Sequence, residues 1–318
     1  MAITAIELNL KYLKYFVESQ VDALKAKAKS LIPGIERDNV LELLLPLPPL
    51  AEQRRIVAKI EELLPYVDRY ADAYEKLEQF NAKFPEDMKK SILQYAIQGK
   101  LVEQRPEEGT GEELYRQIQY EKQRLIKEGK IKKEKPLAEI ADDEIPFDIP
   151  ESWKWVRLGD LANINGGFAF KSTNYTSEGV RVIRISDFNE RGFVNDKIVR
   201  YPYDDSLSQY VLDLKNILLC MTGGTVGKSL FITELDEKMV VNQRVATIKV
   251  NSVMPEYVYQ AILAPLTQKV IQDSKNSTND NISMDTIKDF LIPLPPLAEQ
   301  KRIVAKLEEI LPLCERLK

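Results

Sequence analysis

Residues 46–65 read PLPPLAEQRRIVAKIEELLP, and residues 293–312 read PLPPLAEQKRIVAKLEEILP. The copies agree at 17 of 20 positions, and the exceptions, Arg54/Lys301, Ile60/Leu307 and Leu63/Ile310, each conserve character. They start 247 residues apart (46 to 293), far beyond the roughly 20–50-residue period of a solenoid. The duplication predicts two equivalent helices, each attached to a globular body, with two docking surfaces.

Each block reads as a helix start. Pro48 and Pro49 fix φ and lack amide hydrogens that a first turn leaves unpaired anyway. Glu52 follows near the positive end of the helix dipole. PLPPL also has the composition of a polyproline ligand, but a helical pattern begins at once and the segment recurs in the same context. Ile56, Ile60, Leu63, Val67, Tyr70, Tyr74 and Leu77, then Asn81 and Phe84, alternate spacings of four and three, which keeps one stripe toward a partner helix. Ile303, Leu307, Ile310 and Cys314 start the same stripe in the second copy. These apolar positions are the candidate partner-docking helices. Pro65 and Pro312 are expected to bend or interrupt their helices, and Pro85 to end or re-aim the first before Glu86–Gln98 resumes it.

The chain has 318 residues, 44% of them hydrophobic, enough for a buried core and for two domains. It contains no histidine, which excludes Ser-His-Asp, Cys-His and zinc–histidine chemistry. Its 2 cysteines, Cys220 and Cys314, make no disulfide framework and read as small packing residues, so a cytoplasmic protein is expected. No apolar run reaches membrane-spanning length and the N-terminus lacks a signal-peptide pattern. A formal net charge of −4 means that any DNA contact must come from a local patch.

Composition divides the chain further. Residues 46–145 read as a helical spacer and linker, with Gly111–Lys135 a charged helix. The basic run Lys127–Lys135, interrupted by glutamates, reads as a solvated linker rather than a phosphate-binding arm. A globular domain is expected over 146–290, with β-type runs at 155–158, 180–185, 216–221 and 240–250, then a helix over 255–272. Residues 291–318 begin the second helix. Upstream, Lys11-Tyr12-Leu13 aligns with Glu256-Tyr257-Val258, with intervening loops differing by two residues. Residues 1–45 therefore read as the last quarter of a first globular domain whose body is absent. A helix bearing Leu13, Phe16, Val17 and Leu24 needs a partner surface to fold.

The paired PLPPLAEQ blocks, together with Ser91-Ile-Leu-Gln-Tyr-Ala-Ile-Gln-Gly-Lys-Leu101 and Pro150-Glu-Ser-Trp-Lys-Trp-Val-Arg-Leu-Gly-Asp160, resemble the specificity subunit of type I restriction–modification systems. The resemblance covers nearly the whole chain. It implies two target-recognition domains, each reading half of a split DNA site, held apart by paired helices that dock methyltransferase subunits. It also implies that S-adenosylmethionine and ATP reside on partner methyltransferase and restriction subunits. This chain departs from the pattern by holding one complete recognition domain and a shortened second helix. Either the chain is a fragment of a longer protein, or a partner chain, a second copy or another specificity chain, supplies the rest.

Candidate DNA contacts fall in loops of the 146–290 domain: Phe168 and Lys171; Arg184 and Ser186; Thr222, Gly223 and Lys228; Asn242, Gln243 and Arg244; and Asn279. Arg suits guanine and Asn or Gln suits adenine through bidentate pairs, whereas lysine more often holds phosphate. The bland alternative for each is a solvated loop residue or a turn glycine. GGTVGKS at 223–229 mimics a phosphate-binding loop, but the pattern needs glycine where Thr222 stands, and Leu230-Phe231-Ile232 reads as strand rather than helix. No Asn/Asp-Pro-Pro-aromatic tetrapeptide and no GxGxxG loop is present, so a non-catalytic protein is expected. The predicted fold class is α+β, a sheet-rich target-recognition domain joined to long antiparallel coiled-coil-like helices. The rival reading is a coiled-coil scaffold without DNA sequence specificity.

Overall fold

A computed structural model describes residues 7–27, 37–129, 135–275 and 281–317. Asn279, the centre of the loop at 274–283 and most of the basic run lie outside them. The chain forms two compact units, Met1–Ala82 and Lys83–Lys318. Among the described residues the fold is mixed helix and sheet, as expected.

The first unit holds α1 (Leu10–Ser19), α2 (Val21–Lys27), α3 (Arg37–Leu41) and the start of α4 (Leu50–Ile97). Asn9 caps α1, its side chain accepting from the Lys11 and Tyr12 amides at 3.0 and 3.2 Å, which satisfies donors that a helix start leaves open. Packing here is thin. Tyr12, Leu24 and Val57 are buried, while Leu13, Phe16 and Val17 are only half-covered.

The 48-residue α4 runs through both Pro65 and Pro85, which corrects the expectation that these prolines break it. Proline frees the carbonyl four residues earlier. Those carbonyls belong to Glu61 and Asn81, both on exposed turns where water can take the bond. Pro85 is itself buried, so burial offsets part of its backbone cost. Pro312 is tolerated in the same way inside α10 (Leu297–Glu315).

The second unit also contains α5 (Gly111–Lys127), α6 (Leu158–Leu161), α7 (Pro255–Leu263), α8 (Pro265–Lys275) and α9 (Met284–Lys288). Its strands are β1 (Lys154–Arg157), β2 (Ala162–Gly166), β3 (Val180–Ile183), β4 (Phe188–Asn189), β5 (Gly192–Phe193), β6 (Arg200–Tyr201), β7 (Ile217–Cys220), β8 (Ser229–Phe231), β9 (Met239–Val241), β10 (Val245–Val250) and β11 (Leu291–Leu294). They form an antiparallel sheet ordered β2-β10-β7-β8, a sheet β6-β3-β9, a β4-β5 hairpin and the antiparallel pair β1-β11. The expected strand at 240–250 is two strands, because a turn at Asn242–Arg244 carries the chain from one sheet to the other. The expected helix at 255–272 divides before Pro265, whose missing amide ends the first segment.

The Thr110 hydroxyl accepts from the Glu113 amide at 3.2 Å while the Glu113 carboxylate accepts from the Thr110 amide at 3.0 Å, a reciprocal cap that starts α5. The main core joins Leu93, Ala96 and Ile97 of α4 to Ile303, Val304 and Leu307 of α10, and both to the β2-β10-β7-β8 sheet. Lys89 meets Glu315 at 3.0 Å and Gln104, beyond the end of α4, meets Glu299 at 2.7 Å. The end of α4 and α10 are therefore antiparallel.

Candidate nucleic-acid interface

Backbone bonds gather most of the candidate loops at one end of the second unit. The Phe168 amide donates to Val241 and the Gln243 amide returns a bond to Phe168, each at 2.9 Å. Asn242 donates to Ile183 at 2.9 Å, just before Arg184, and Met221 donates to the Arg244 carbonyl at 2.9 Å. Thr222 bridges to Asn281. Residues 168, 184–186, 221–223 and 242–244 thus share one rim, set at the ends of β3, β7 and β9. Gly167 permits the closest of these approaches, since a Cβ there would stand 2.2 Å from the Val241 oxygen.

The rim side chains sort by what already holds them. Arg184 is committed inward, with Nε and Nη2 donating to the buried Asp187 carboxylate at 2.7 and 2.8 Å and Nη2 reaching the Lys197 carbonyl at 2.7 Å. The Asp187 hydrogen bond raises the guanidinium pKa further above its usual value. Ser186 donates to the same carboxylate at 2.8 Å. Lys228 donates to the Ile185 carbonyl and sits 5.0 Å from the Phe188 ring centroid. Phe168 belongs to an aromatic cluster, 4.9 Å from Phe170 and 5.5 Å from Tyr210. The Asn242 side chain accepts from the Arg244 amide at 3.2 Å, shaping the turn.

Lys171, Gln243 and Arg244 are exposed, and their side chains have no hydrogen-bond or ion-pair partner among the described residues. Among the described residues, Gly223 stands at φ +73 beside open space, and the Thr222 hydroxyl is buried without a partner. The glycine turn feeds β8 rather than a helix, so its backbone lacks the strand–loop–helix setting of a phosphate-binding loop. Gly227 lets the turn press on α8, since a Cβ would meet Ile271 Cγ2 at 2.4 Å. Cys220 is buried, and burial pushes its thiol pKa up to about 11, an unreactive packing residue.

The candidate docking stripe divides in two. Ile56 and Ile60 are half-buried, whereas Leu63, Val67, Tyr70, Tyr74 and Leu77 are all exposed, as is Asn81. Ile303 and Leu307 are buried in the core of their own unit and Ile310 is half-covered.

Sequence reading passed over the polar residues of the repeated block. Gln300 Nε2 donates to the Pro295 carbonyl at 2.9 Å while its Oε1 accepts from the Met254 amide at 3.0 Å. Gln53 makes the same pair, donating to Pro48 at 2.8 Å and accepting from Asn9 at 2.9 Å. Tyr257 donates to Pro293 at 2.7 Å and Tyr12 to Pro46 at 2.9 Å. The weak upstream alignment of Tyr12 with Tyr257 is therefore structural equivalence. Glu299 is buried, accepting from Gln104 at 2.7 Å and from Trp153 Nε1 at 2.9 Å. Burial raises its carboxyl pKa against the pull of those donors. The signal for these roles was the identity of Glu-Gln in both copies.

Residues 150–316 match the family described as Type I restriction modification DNA specificity domain. The chain belongs to that family. The EcoAI specificity subunit of Escherichia coli is similar, 32% identical over 86% of this chain and 54% of its own length. The EcoEI specificity subunit of the same species is 25% identical, over 98% of this chain and 61% of its own. The MjaVIII specificity subunit of Methanocaldococcus jannaschii is 23% identical, over 94% of this chain and 63% of its own. This specificity-domain chain thus spans between half and two thirds of the length of these relatives. The crystal structure of the HsdS subunit from Thermoanaerobacter tengcongensis superposes with a TM-score of 0.48 at 20% identity, covering 97% of this chain and 64% of that one. Lys171, Gln243 and Arg244 lie within the matched specificity domain. No described helix is long and apolar enough to cross a membrane.

Proposed function

We propose that this chain reads one half of a split DNA target within a type I restriction–modification complex. It directs methyltransferase and restriction subunits, which bring S-adenosylmethionine, ATP and the catalytic groups. The observation that carries the reading is a specificity domain whose loop rim presents Arg244 and Gln243 unpaired among the described residues, with Lys171 exposed in the loop that follows Phe168. A free guanidinium can pair two acceptors of guanine, a free amide can pair adenine, and a free ammonium can hold phosphate and set register. The inward-held Arg184 and Lys228 shape the rim instead. The exposed stripe Leu63–Leu77 supplies the apolar surface for partner helices. A second chain of the same kind supplies the other half-site, and a self-pair would read inverted halves.

The test is gel-shift competition, with the target first mapped as methylated positions in DNA from cells expressing the chain with its methyltransferase partner. A defined methylated sequence that outcompetes random duplex, with affinity falling as salt rises, is the expected outcome. Equal competition by random duplex would leave the scaffold reading in its place.

A further inference from the structure

A cleft of about 940 Å³ opens in the second unit, lined by α5, β1 and the segment 135–151 that leads into β1. Its helical wall follows from spacing. Tyr115, Gln119, Lys122 and Ile126 recur at intervals of four, three and four, which puts them on one stripe of α5, while Leu114 and Ile118 face the core. Trp153 and Trp155, the chain's 2 tryptophans, line the cleft as well. Arg157 ties the segment to β1, donating to the Ala138 carbonyl at 2.8 Å and to the Glu144 carboxylate at 2.9 and 3.0 Å. Ile126, Leu137, Ile140 and Ile149 line the cleft half-covered. Such a size, with an apolar wall and a few placed polar groups, is usual for a small-molecule site.

The polar groups are unbalanced toward donors. Among the described residues, Trp155 Nε1 and Gln119 Nε2 are buried with no hydrogen-bond partner. The Trp155 ring packs edge-on to Phe147, with centroids 5.1 Å apart, so packing accounts for the ring and not for its N–H, which can only donate. Lys122 donates to the Gly159 carbonyl at 2.9 Å and keeps N–H groups to spare. Asp160, a half-covered carboxylate of the cleft, already accepts from the Tyr115 hydroxyl. Folded proteins seldom leave buried donors unpaired, and two in the wall of one cleft call for an acceptor that a ligand brings.

We propose that this cleft binds a small monocarboxylate with an apolar body, its oxygens accepting from Trp155 Nε1 and Gln119 Nε2 beside the Lys122 ammonium. Ile126, Leu137, Ile140 and Ile149 cover the body. Both donors are shielded from water, and rotamer changes of the kind common on binding turn them to the ligand. No rim residue lines the cleft, so its ligand is independent of DNA reading.

The probes are hexanoate, octanoate and 3-phenylpropionate, titrated into the full chain, with acetate and hexylamine as controls. Intrinsic fluorescence reads the cleft directly, because both tryptophans line it. At least one of the longer acids should give a saturable change. Acetate, which lacks the apolar body, and hexylamine, which carries donors in place of acceptors, should each bind about tenfold more weakly or worse. Gln119→Met keeps the length of the side chain and removes the donor. It should weaken binding of the acid about tenfold, the loss of one hydrogen bond to a charged group, without lowering the melting temperature of the free chain. Trp155→Phe should weaken binding by a similar factor, with Trp153 left as the reporter. Four results would each overturn the proposal: no saturable change with any of the longer acids at about 10 millimolar, equal binding of hexylamine, undiminished binding to Gln119→Met, or a free Gln119→Met chain that melts lower, which would mean that the amide already serves the fold.

Discussion

Arg184 and Arg244 illustrate how two residues of one type, both on the rim, take opposite duties. Arg184 is held by Asp187, a carboxylate only 6% exposed. Arg184→Ala strands that charge, and removing one member of a buried pair costs several kcal/mol. Because Arg184 is itself partly solvated, about 2 kcal/mol of lost stability is expected by urea unfolding. Arg244→Ala should leave stability within about 0.5 kcal/mol but cost about 1–3 kcal/mol of base discrimination. Gel-shift titrations with target and random duplex read that difference. Glu108 carries the pH dependence. Its hydrogen bond to Arg302 holds the carboxyl pKa below the usual 4.5, so its stabilisation is complete above that value and is lost as pH falls through the depressed one. Glu108→Gln should therefore cost about 1 kcal/mol at pH 7 and progressively less as pH falls through the depressed pKa. Glu299 has the opposite sign. Burial raises its pKa, so protonation on acidification favours the folded form.

Among the elements, α4 is the one whose sequence rules and observed course disagree. Proline in a helix interior costs about 3 kcal/mol relative to alanine, yet both Pro65 and Pro85 are carried. Pro65 lies in a stretch exposed on every side, residues 61–82, where solvent satisfies the freed carbonyl but packing returns nothing. Pro65→Ala should therefore slow amide exchange over residues 61–69 by tenfold or more, read by hydrogen-exchange mass spectrometry. If exchange there is unchanged, proline is not the weak point of the helix. A four-three stripe records what a helix can cover, not what is covering it. Where the stripe recurs in α10, Ile303 and Leu307 are buried by the unit's own core.

At the scale of the whole molecule, the two units differ in how much core each owns. The second buries three clusters across its sheets, while the described part of the first buries Tyr12, Leu24 and Val57. Local opening free energy follows buried apolar contact. Native-state exchange should therefore show Leu10–Lys27 opening at much lower free energy than β7 and β10. Equal protection in both regions would mean that the first unit has a core beyond these residues.

The sequence by itself determined the duplicated helix start, the α+β class, the runs that form β1, β3, β7 and the β9–β10 stretch, and the Tyr12–Tyr257 correspondence, because these rest on local pattern and on self-similarity. The family, too, was legible from motifs in order. Only the tertiary structure decided which rim residues are free. Whether Arg184 faces DNA or Asp187, and Lys228 solvent or the Ile185 carbonyl, depends on neighbours brought from elsewhere in the chain. It also decided the fate of the Glu-Gln pair, written identically in both copies. Glu299 is buried under Trp153 and Gln104 while Glu52 stands open, since burial belongs to what packs against a residue and not to the residue itself.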